Sequence, residues 1–203
     1  MDNIELDLAI YSDNLTSLLL IFNDSAEIRK QRLDDLMNKI ESTDWTDDEF
    51  HKFTLYDIHF DWLLIQALFI SGFSYFESFM RCIAQIVEKH NGGRIKIADI
   101  KGDGNLDTYR KFLCLIGQIQ NANGNKKEWQ IIKEFKTIRN AIVHDNGLIT
   151  KNLSKINQHN LYFGPGKRHI RISNIKFLED FVTTSIEYMS LIASETRSKV
   201  IIN

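Results

Sequence analysis

The sequence predicts an all-α fold: a single domain over residues 1–203, a bundle of about six helices with room for a small β-hairpin before the last one. Apolar residues recur at spacings of three and four along most of the chain, which is the period of a helix. One proline, Pro165, and ten glycines are too few breakers for a many-turned β-sandwich. Hydrophobic residues make up 43% and charged residues 26%, which is ordinary for a globular core of this size.

Two N-terminal helices are predicted, over residues 4–22 and 25–42, with Asp24 or Ser25 as the cap of the second. Their apolar stripes are Ile4, Leu8, Tyr11, Leu15, Leu18, Leu19 and Phe22, then Ile28, Leu33, Leu36, Met37 and Ile40. A polar connection follows over residues 41–53. In it Thr46-Asp-Asp-Glu49 matches a capping box and predicts a short helical turn.

The charge is divided unevenly along the chain. Residues 1–50 carry 13 acidic and 4 basic residues, a net charge of −9, and the remainder carries 14 acidic and 21 basic residues, a net charge of +7. A basic remainder is compatible with a phosphate-bearing partner. Solvated faces of mixed sign explain the same pattern without any partner.

A long helix is predicted over residues 54–90, ended by His90-Asn-Gly-Gly93. Gly72 inside it predicts either close packing against another helix or a kink. The predicted apolar face is Leu64, Ala67, Leu68, Ser71, Tyr75, Phe79, Ile83 and Ile86. Polar residues interrupt its most apolar part, Trp62–Met80, so we expect a buried core helix and no membrane span.

The second half is predicted to contain three more helices, over residues 106–119, 126–145 and 174–197. Ser173 can cap the last. Residues 94–105 are predicted to be loop with an extended edge. A hairpin is predicted within 148–172, with a turn at Gly164-Pro-Gly166. The domain therefore divides into acidic N-terminal helices (1–50), a core (54–147), a loop or hairpin (148–172) and a C-terminal helix (173–203).

Several kinds of site are not indicated. Cys82 and Cys114 lie in apolar helical contexts and are expected to be buried thiols in a reducing compartment. No phosphate-binding loop, dinucleotide fingerprint or metal-ligand spacing of histidines occurs, so we expect no cofactor and no metal. The acidic N-terminus has no basic signal-peptide region, so we expect a cytoplasmic protein.

The segment Phe135-Lys-Thr-Ile-Arg139-Asn140-Ala-Ile-Val-His144-Asp-Asn-Gly147 concentrates the remaining chemistry. A helix turns about 100° per residue, so Asn140 and His144 share a face that Arg139 can reach with its long side chain. An imidazole can move a proton to or from a hydroxyl, an arginine can bind a phosphate, and an asparagine can orient either. The pattern is also a plain helix stop, in which all three side chains would be structural.

Arg139-Asn-Ala-Ile-Val-His144-Asp-Asn-Gly147 resembles the Arg-x4-His signature of the HEPN superfamily (higher eukaryotes and prokaryotes nucleotide-binding). Tyr75-Phe-Glu-Ser-Phe79, within Phe69–Ile83, is similar to the family's long second helix with its embedded glutamate. Ile97-Ala-Asp-Ile-Lys-Gly102, followed by Tyr109-Arg-Lys-Phe112, resembles the linking segment of several prokaryotic branches.

The resemblance implies a helical bundle that dimerises, with the motif helices of two protomers facing each other across one composite site. It implies a metal-independent endoribonuclease of a bacterial toxin, defence or stress system. In that reading Arg139 and His144 are the catalytic pair, and Asn140 and Glu77 are supporting residues. The RNA 2′-OH would attack the adjacent phosphate and leave a 2′,3′-cyclic phosphate and a 5′-OH. A protein antitoxin or regulator is a further expected partner.

Asn146 departs from one branch of the family. In that branch a tyrosine two residues after the histidine is modified with AMP by a partner enzyme, so this silencing is not implied here. Two alternatives remain open. One is a non-catalytic module of the same superfamily that binds RNA, a nucleotide or a protein; the other is a helical interaction domain in which Arg139 and His144 are structural.

Overall fold

The computed structural model describes residues 3–40, 46–150, 152–156, 160–164 and 169–201. The helices are α1 (Ile4–Ile40), α2 (Asp47–Thr54), α3 (Phe60–His90), α4 (Asn105–Leu115), α5 (Lys127–His144) and α6 (Ile175–Thr196). The strands β1 (Leu161–Phe163) and β2 (Ile170–Ile172) form an antiparallel hairpin between α5 and α6. The all-α class and the small hairpin are therefore confirmed. The predicted turn at Gly164-Pro-Gly166 lies largely outside the described residues.

The N-terminal region is one helix of 37 residues, so the prediction of two helices was wrong. Asp24 and Ser25 are good caps, but a cap residue starts a helix only where the preceding helix has ended. No glycine or proline lies between residues 4 and 40 to end it. The stripe predicted for the first half is buried or half-buried. In the second half Ile28 and Met37 are exposed.

The predicted capping box is confirmed at the start of α2. The Thr46 hydroxyl accepts a hydrogen bond from the Glu49 backbone N–H, and the Glu49 carboxylate accepts one from the Thr46 N–H. A π-helical turn, Leu55–His59, joins α2 to α3 without a break. With α2 and α3 counted as one, the described residues form five helices.

Helix α3 lies at the centre of the bundle, packed against α1, α4, α5 and α6. An aromatic cluster joins it to α5 and α6: the Phe69 ring centroid lies 5.0 Å from those of Phe177 and Phe181, and Phe135 lies 5.2 Å from Phe181. The predicted face was partly wrong. Ala67, Ser71 and Tyr75 are exposed, because the phenylalanines at 69, 73 and 76 turn the buried stripe toward their own side.

At Gly72, α3 packs closely against two neighbouring helices. A Cβ at this position would lie 2.8 Å from Leu18 Cδ1 of α1 and 2.9 Å from Phe181 Cε1 of α6. Of the two predicted roles for this glycine, close packing is therefore the observed one.

Three smaller predictions are corrected. Helix α4 ends at Leu115 instead of residue 119, because Gln118 has a φ of 53° and the Ile119 N–H turns back to Leu113 O. Ile97–Asp99 is a 3₁₀ turn instead of an extended edge. The cap of α6 is Asn174, whose side chain accepts from Lys176 N, whereas the Ser173 hydroxyl donates to Asn160 O.

The continuous helical stretch Asp47–His90 contains an 18-residue window with a mean hydropathy of 1.3, of which 44% is buried. By length and composition it could cross a membrane, but the core helix of a soluble protein passes the same test. Much of the aromatic core is on α3, including Phe69, Phe73, Phe76 and Phe79, all buried.

Candidate functional site

Helix α5 carries the Arg139–His144 segment at its C-terminal end. Its buried residues are Trp129, Ile132, Phe135, Ile138 and Ala141. These hold one face of the helix against the core. The opposite faces are left to polar side chains: Arg139 and Asn140 are half-buried, and His144 is exposed.

The helix ends where the Asp-Asn-Gly sequence predicted. Asp145 N and Gly147 N both donate to Ala141 O, at 3.1 and 2.7 Å. Asn146 and Gly147 adopt positive φ angles of 51° and 81°, the left-handed stop expected of Asn and Gly. Ile170 N then donates to Gly147 O at 2.9 Å, which ties the end of α5 to strand β2.

Three predicted site residues meet at this helix end. One nitrogen of Arg139, Nη1, lies 3.1 Å from Asn140 Oδ1 and 3.1 Å from His144 Nε2. The two N–H bonds of Nη1 can serve the two acceptors at once. The long arginine side chain thus bends back across the last turn of the helix, as the spacing predicted.

The donor and acceptor roles follow from the arginine. A guanidinium has only donors, so Asn140 must present its oxygen and His144 must present the unprotonated Nε2. An imidazole with its proton on Nδ1 meets this requirement, and its Nε2 lone pair can accept a proton once Arg139 no longer occupies it.

The rest of the Arg139 guanidinium is uncommitted. Nε is enclosed and has no hydrogen-bond partner among the described residues, and Nη2 has none there either. Nη2 is not enclosed, so its N–H groups can meet the oxygens of a phosphate.

Glu77 lies apart from this cluster. It is on α3 and lines a small pocket of about 230 Å³ together with Ser74, Ser78, Arg81, Asn105 and Tyr109. In the described part of the chain it makes no hydrogen bond or ion pair, to the cluster or elsewhere. The structure of one chain thus does not bring Glu77 together with Arg139 and His144.

A larger cleft of about 820 Å³ runs along the neighbouring face of α5 and ends at the cluster. Asn140 and Asp145 line its near end. The opposite wall includes Asn152–Lys155, held in place by one carboxylate. Glu134 accepts backbone hydrogen bonds from Ser154, Lys155 and Ile156 at 2.7, 2.8 and 3.0 Å.

Sequence reasoning missed this cleft. Its walls come from residues distant in the chain, including Asp103 and Asp107 at the start of α4 and the segment after α5. One signal was available: Gln130, Lys133, Thr137 and Asn140 recur at spacings of three and four, which makes a polar stripe beside the apolar one.

Among the described residues no group of three or more His, Cys, Asp or Glu side chains is arranged to hold a metal ion. Cys82 and Cys114 form no disulfide in the described part of the chain and are half-buried instead of buried; the Cys82 thiol donates to Asp7 Oδ2 at 3.5 Å. Comparison of the chain with protein-family models, curated proteins and solved structures finds no match. Membership of the HEPN superfamily therefore stays a prediction from the residues quoted above.

Proposed function

We propose that this protein is a metal-independent endoribonuclease of HEPN type. The observation that supports the proposal most is the Arg139 guanidinium, which bonds His144 Nε2 and Asn140 Oδ1 and leaves Nη2 without a partner among the described residues. A proton acceptor and a phosphate-binding group thus lie side by side at an exposed helix end.

The chemistry follows from these two groups. The RNA 2′-oxygen forms a bond to the adjacent phosphorus as its proton passes to His144 Nε2. The bond from phosphorus to the 5′-oxygen breaks, and that oxygen takes a proton. The products are a 2′,3′-cyclic phosphate and a 5′-OH. Arg139 stabilises the charge on the phosphate oxygens as the transition state forms.

Substrate binding also frees the base. In the structure the lone pair of His144 Nε2 is engaged by Arg139. A phosphate offers the guanidinium a charged acceptor, which forms a stronger hydrogen bond than a neutral imidazole does. Arg139 would therefore turn to the phosphate and release Nε2 for the 2′-OH. Asn140 would keep the guanidinium in place during this exchange.

We propose further that the working unit is a homodimer. Two copies of α5 facing each other would supply two His144 side chains: one with an unprotonated Nε2 to accept the 2′-OH proton, and one in the imidazolium form, released from Arg139, to donate a proton to the leaving 5′-oxygen. The exposure of His144 and of its neighbour Val143, which is 42% exposed, supports a contact at this helix end. RNA is the substrate, and a protein antitoxin or regulator is an additional partner under the same proposal.

The test is cleavage of single-stranded RNA by purified protein in EDTA. We expect wild-type cleavage with 2′,3′-cyclic phosphate ends. His144→Ala and Arg139→Ala should each lower the rate about 10²- to 10⁴-fold, the usual contribution of a proton-transfer or charge-stabilising group. His51→Ala and Arg94→Ala are matched controls, since both residues are exposed and outside the site.

The competing function is a non-catalytic module that binds RNA, a nucleotide or a protein. The contact between Arg139 Nη1 and His144 Nε2 favours this alternative if it persists with RNA bound, because Nε2 could then not accept the 2′-OH proton. RNA binding without cleavage by the wild type would support it. Cleavage that survives both substitutions would show that the roles given to Arg139 and His144 are wrong.

A further inference from the structure

The cleft along α5 has the size and the walls of a ligand site. Its volume of about 820 Å³ lies within the usual range of roughly 300–1,000 Å³ for small-molecule pockets. One wall is the polar stripe of α5, and the facing wall includes the segment that Glu134 holds.

Several charged groups in the cleft already have partners. Asp103 pairs with Lys136, Asp107 pairs with Arg110 and Lys111, and Glu134 is bonded to backbone N–H groups. Two exposed cations are left, Lys133 and Lys155, and neither has an ion-pair partner among the described residues. Glu134 and Asp145 are the two lining acids without an ion-pair partner there, and Glu134 is turned to backbone N–H groups. The charge outside the ion pairs is therefore balanced, and Lys133 and Lys155 are the two cations left to meet a phosphate.

Uncommitted hydrogen-bonding groups lie beside these cations. Asn140 uses its oxygen for Arg139, so its amide N–H₂ donors are unused. The Thr137 hydroxyl donates to Lys133 O, so its lone pairs are unused. Residues three apart on a helix have Cβ atoms about 5–6 Å apart. A donor and an acceptor at this separation can meet neighbouring groups on the edge of a nucleobase.

The cleft is continuous with the Arg139–His144 cluster. Asn140 lines the cleft and also accepts from Arg139, and Asp145 lines it directly after His144. A nucleotide in the cleft would therefore be next to a phosphate held by Arg139.

Building on the proposed endoribonuclease function, we propose that this cleft binds the nucleotide adjacent to the scissile phosphate and sets the base preference of cleavage. Lys133 and Lys155 take its phosphate oxygens, and Thr137 with the Asn140 amide contacts its base.

The first arm of the test measures binding without chemistry. In the His144→Ala background, a 5′-fluorescein-labelled single-stranded RNA of mixed sequence is titrated with the protein and followed by anisotropy. Lys133→Gln with Lys155→Gln should weaken binding at least tenfold at low salt. Each lysine that contacts a phosphate contributes about 0.7 to the salt dependence of binding to single strands, so the slope of log K against log[salt] should fall by about 1.4.

Lys30→Gln with Lys96→Gln is the matched control, because it removes the same charge from exposed positions outside the cleft. Equal weakening by the two pairs would mean that only overall charge matters, and would overturn the inference. If Lys133→Gln with Lys155→Gln leaves RNA binding unchanged, the inference is also overturned.

The second arm measures base preference in the otherwise native sequence. Thr137→Val keeps the shape of the side chain and removes its oxygen. The ratio of kcat/KM among RNAs that differ only in the bases flanking the cleavage site should change by about tenfold, the effect of one lost hydrogen bond worth about 1–1.5 kcal/mol. A variant with the wild-type ratios would contradict the role given to Thr137.

The two proposals fail separately. Suppose the wild type cleaves RNA and the cleft variants bind and select RNA as the wild type does. The nuclease proposal would then stand, and the cleft proposal would be rejected. If the wild type binds RNA through Lys133 and Lys155 but does not cleave it, the proposed nuclease function would be rejected. The cleft would remain a nucleotide-binding site.

Discussion

Single carboxylates fasten the irregular segments of this protein to its helices. Glu134 on α5 holds the segment after α5, and Glu195 on α6 accepts from Gln120 N and Asn121 N, both at 2.8 Å. Glu88 on α3 accepts from Ile97 N at 2.7 Å. A carboxylate satisfies backbone N–H groups that would otherwise lack partners, and a charged acceptor strengthens these bonds.

Glu195 gives the first prediction at this scale, a pH dependence of stability. Burial raises the pKa of this carboxyl, but Lys199 and the N–H groups of Asn121 and Gln120 outweigh it, so the pKa is lowered from 4.5. The charged form is thus favoured in the folded state, and its contribution is present above pH 4.5 and lost as the pH falls through the lowered pKa. Glu195→Gln should therefore lower the free energy of unfolding by about 1–2 kcal/mol at pH 7, and by less below pH 4.5.

Urea unfolding of wild type and variant between pH 7 and pH 3.5 measures this difference. Glu187→Gln is the control, because Glu187 is exposed on the same helix and makes no hydrogen bond in the described part of the chain. A difference for Glu195→Gln that stays constant down to pH 3.5 would refute the assignment.

The residues of the candidate site differ in how far the sequence could predict them. Arg139, Asn140 and His144 lie within six positions, so the geometry of one helix brings them together. The glutamates that hold backbone segments could not be predicted, because their partners lie 9 to 75 residues away. Glu77 was assigned from the resemblance alone, and no hydrogen bond or ion pair among the described residues links it to the cluster.

The helices show where local patterns stop being sufficient. The apolar period of residues 4–22 predicted their buried face in α1, since a helix presents the same face to the core along several turns, whereas Ile28 and Met37 farther along are exposed. The prediction of two helices in place of α1 was wrong, because Asp24 and Ser25 are good cap residues that also occur inside a helix when nothing ends it before them. The face of α3 was misjudged because it contacts α1, α4, α5 and α6, so apolar residues occur on more than one side.

Gly72→Ala tests the packing of α3 against α1 and α6. Alanine is ordinarily the better helix residue by about 1 kcal/mol. Here its Cβ would come within 3 Å of Leu18 and Phe181. Overpacking of this kind costs about 1–3 kcal/mol, so we expect the variant to be less stable than the wild type by denaturant unfolding.

Ser71→Ala provides the comparison, because Ser71 is exposed on the same helix one residue earlier. This variant should be neutral or slightly more stable. A Gly72→Ala protein as stable as Ser71→Ala would show that the two neighbouring helices move apart at little cost.

At the scale of the whole molecule, the protein leaves many large apolar side chains exposed. Leu6, Ile10, Leu20, Ile21 and Ile28 on α1 are each at least 48% exposed, and Phe50 on α2 is 61% exposed. Exposed apolar residues are common singly, but several along one helix are typical of a contact surface.

The proposed dimer predicts a molecular mass of about twice 23.7 kDa by light scattering at micromolar concentration. Val143→Glu would place a charge beside His144 at the proposed contact, so we expect this variant to be monomeric and to lose cleavage. Leu115→Glu, at a side chain that is 63% exposed on α4, is the control and should remain dimeric.

If the wild-type protein is strictly monomeric, the proposal of a composite site between two protomers is rejected. A monomer that still cleaves would show that a single chain carries the whole activity.

The bonds of Arg139 to Asn140 and His144 join residues one and five positions apart. The geometry of these bonds depends on the last turn of α5. The packing of other elements determines only the surroundings of the three side chains. The spacing itself is therefore the constrained quantity: one residue inserted between Arg139 and His144 would rotate the imidazole about 100° around the helix axis. Substitutions at the intervening positions leave the spacing intact. In a diverging lineage, this segment would tolerate changes of residue far better than changes of length.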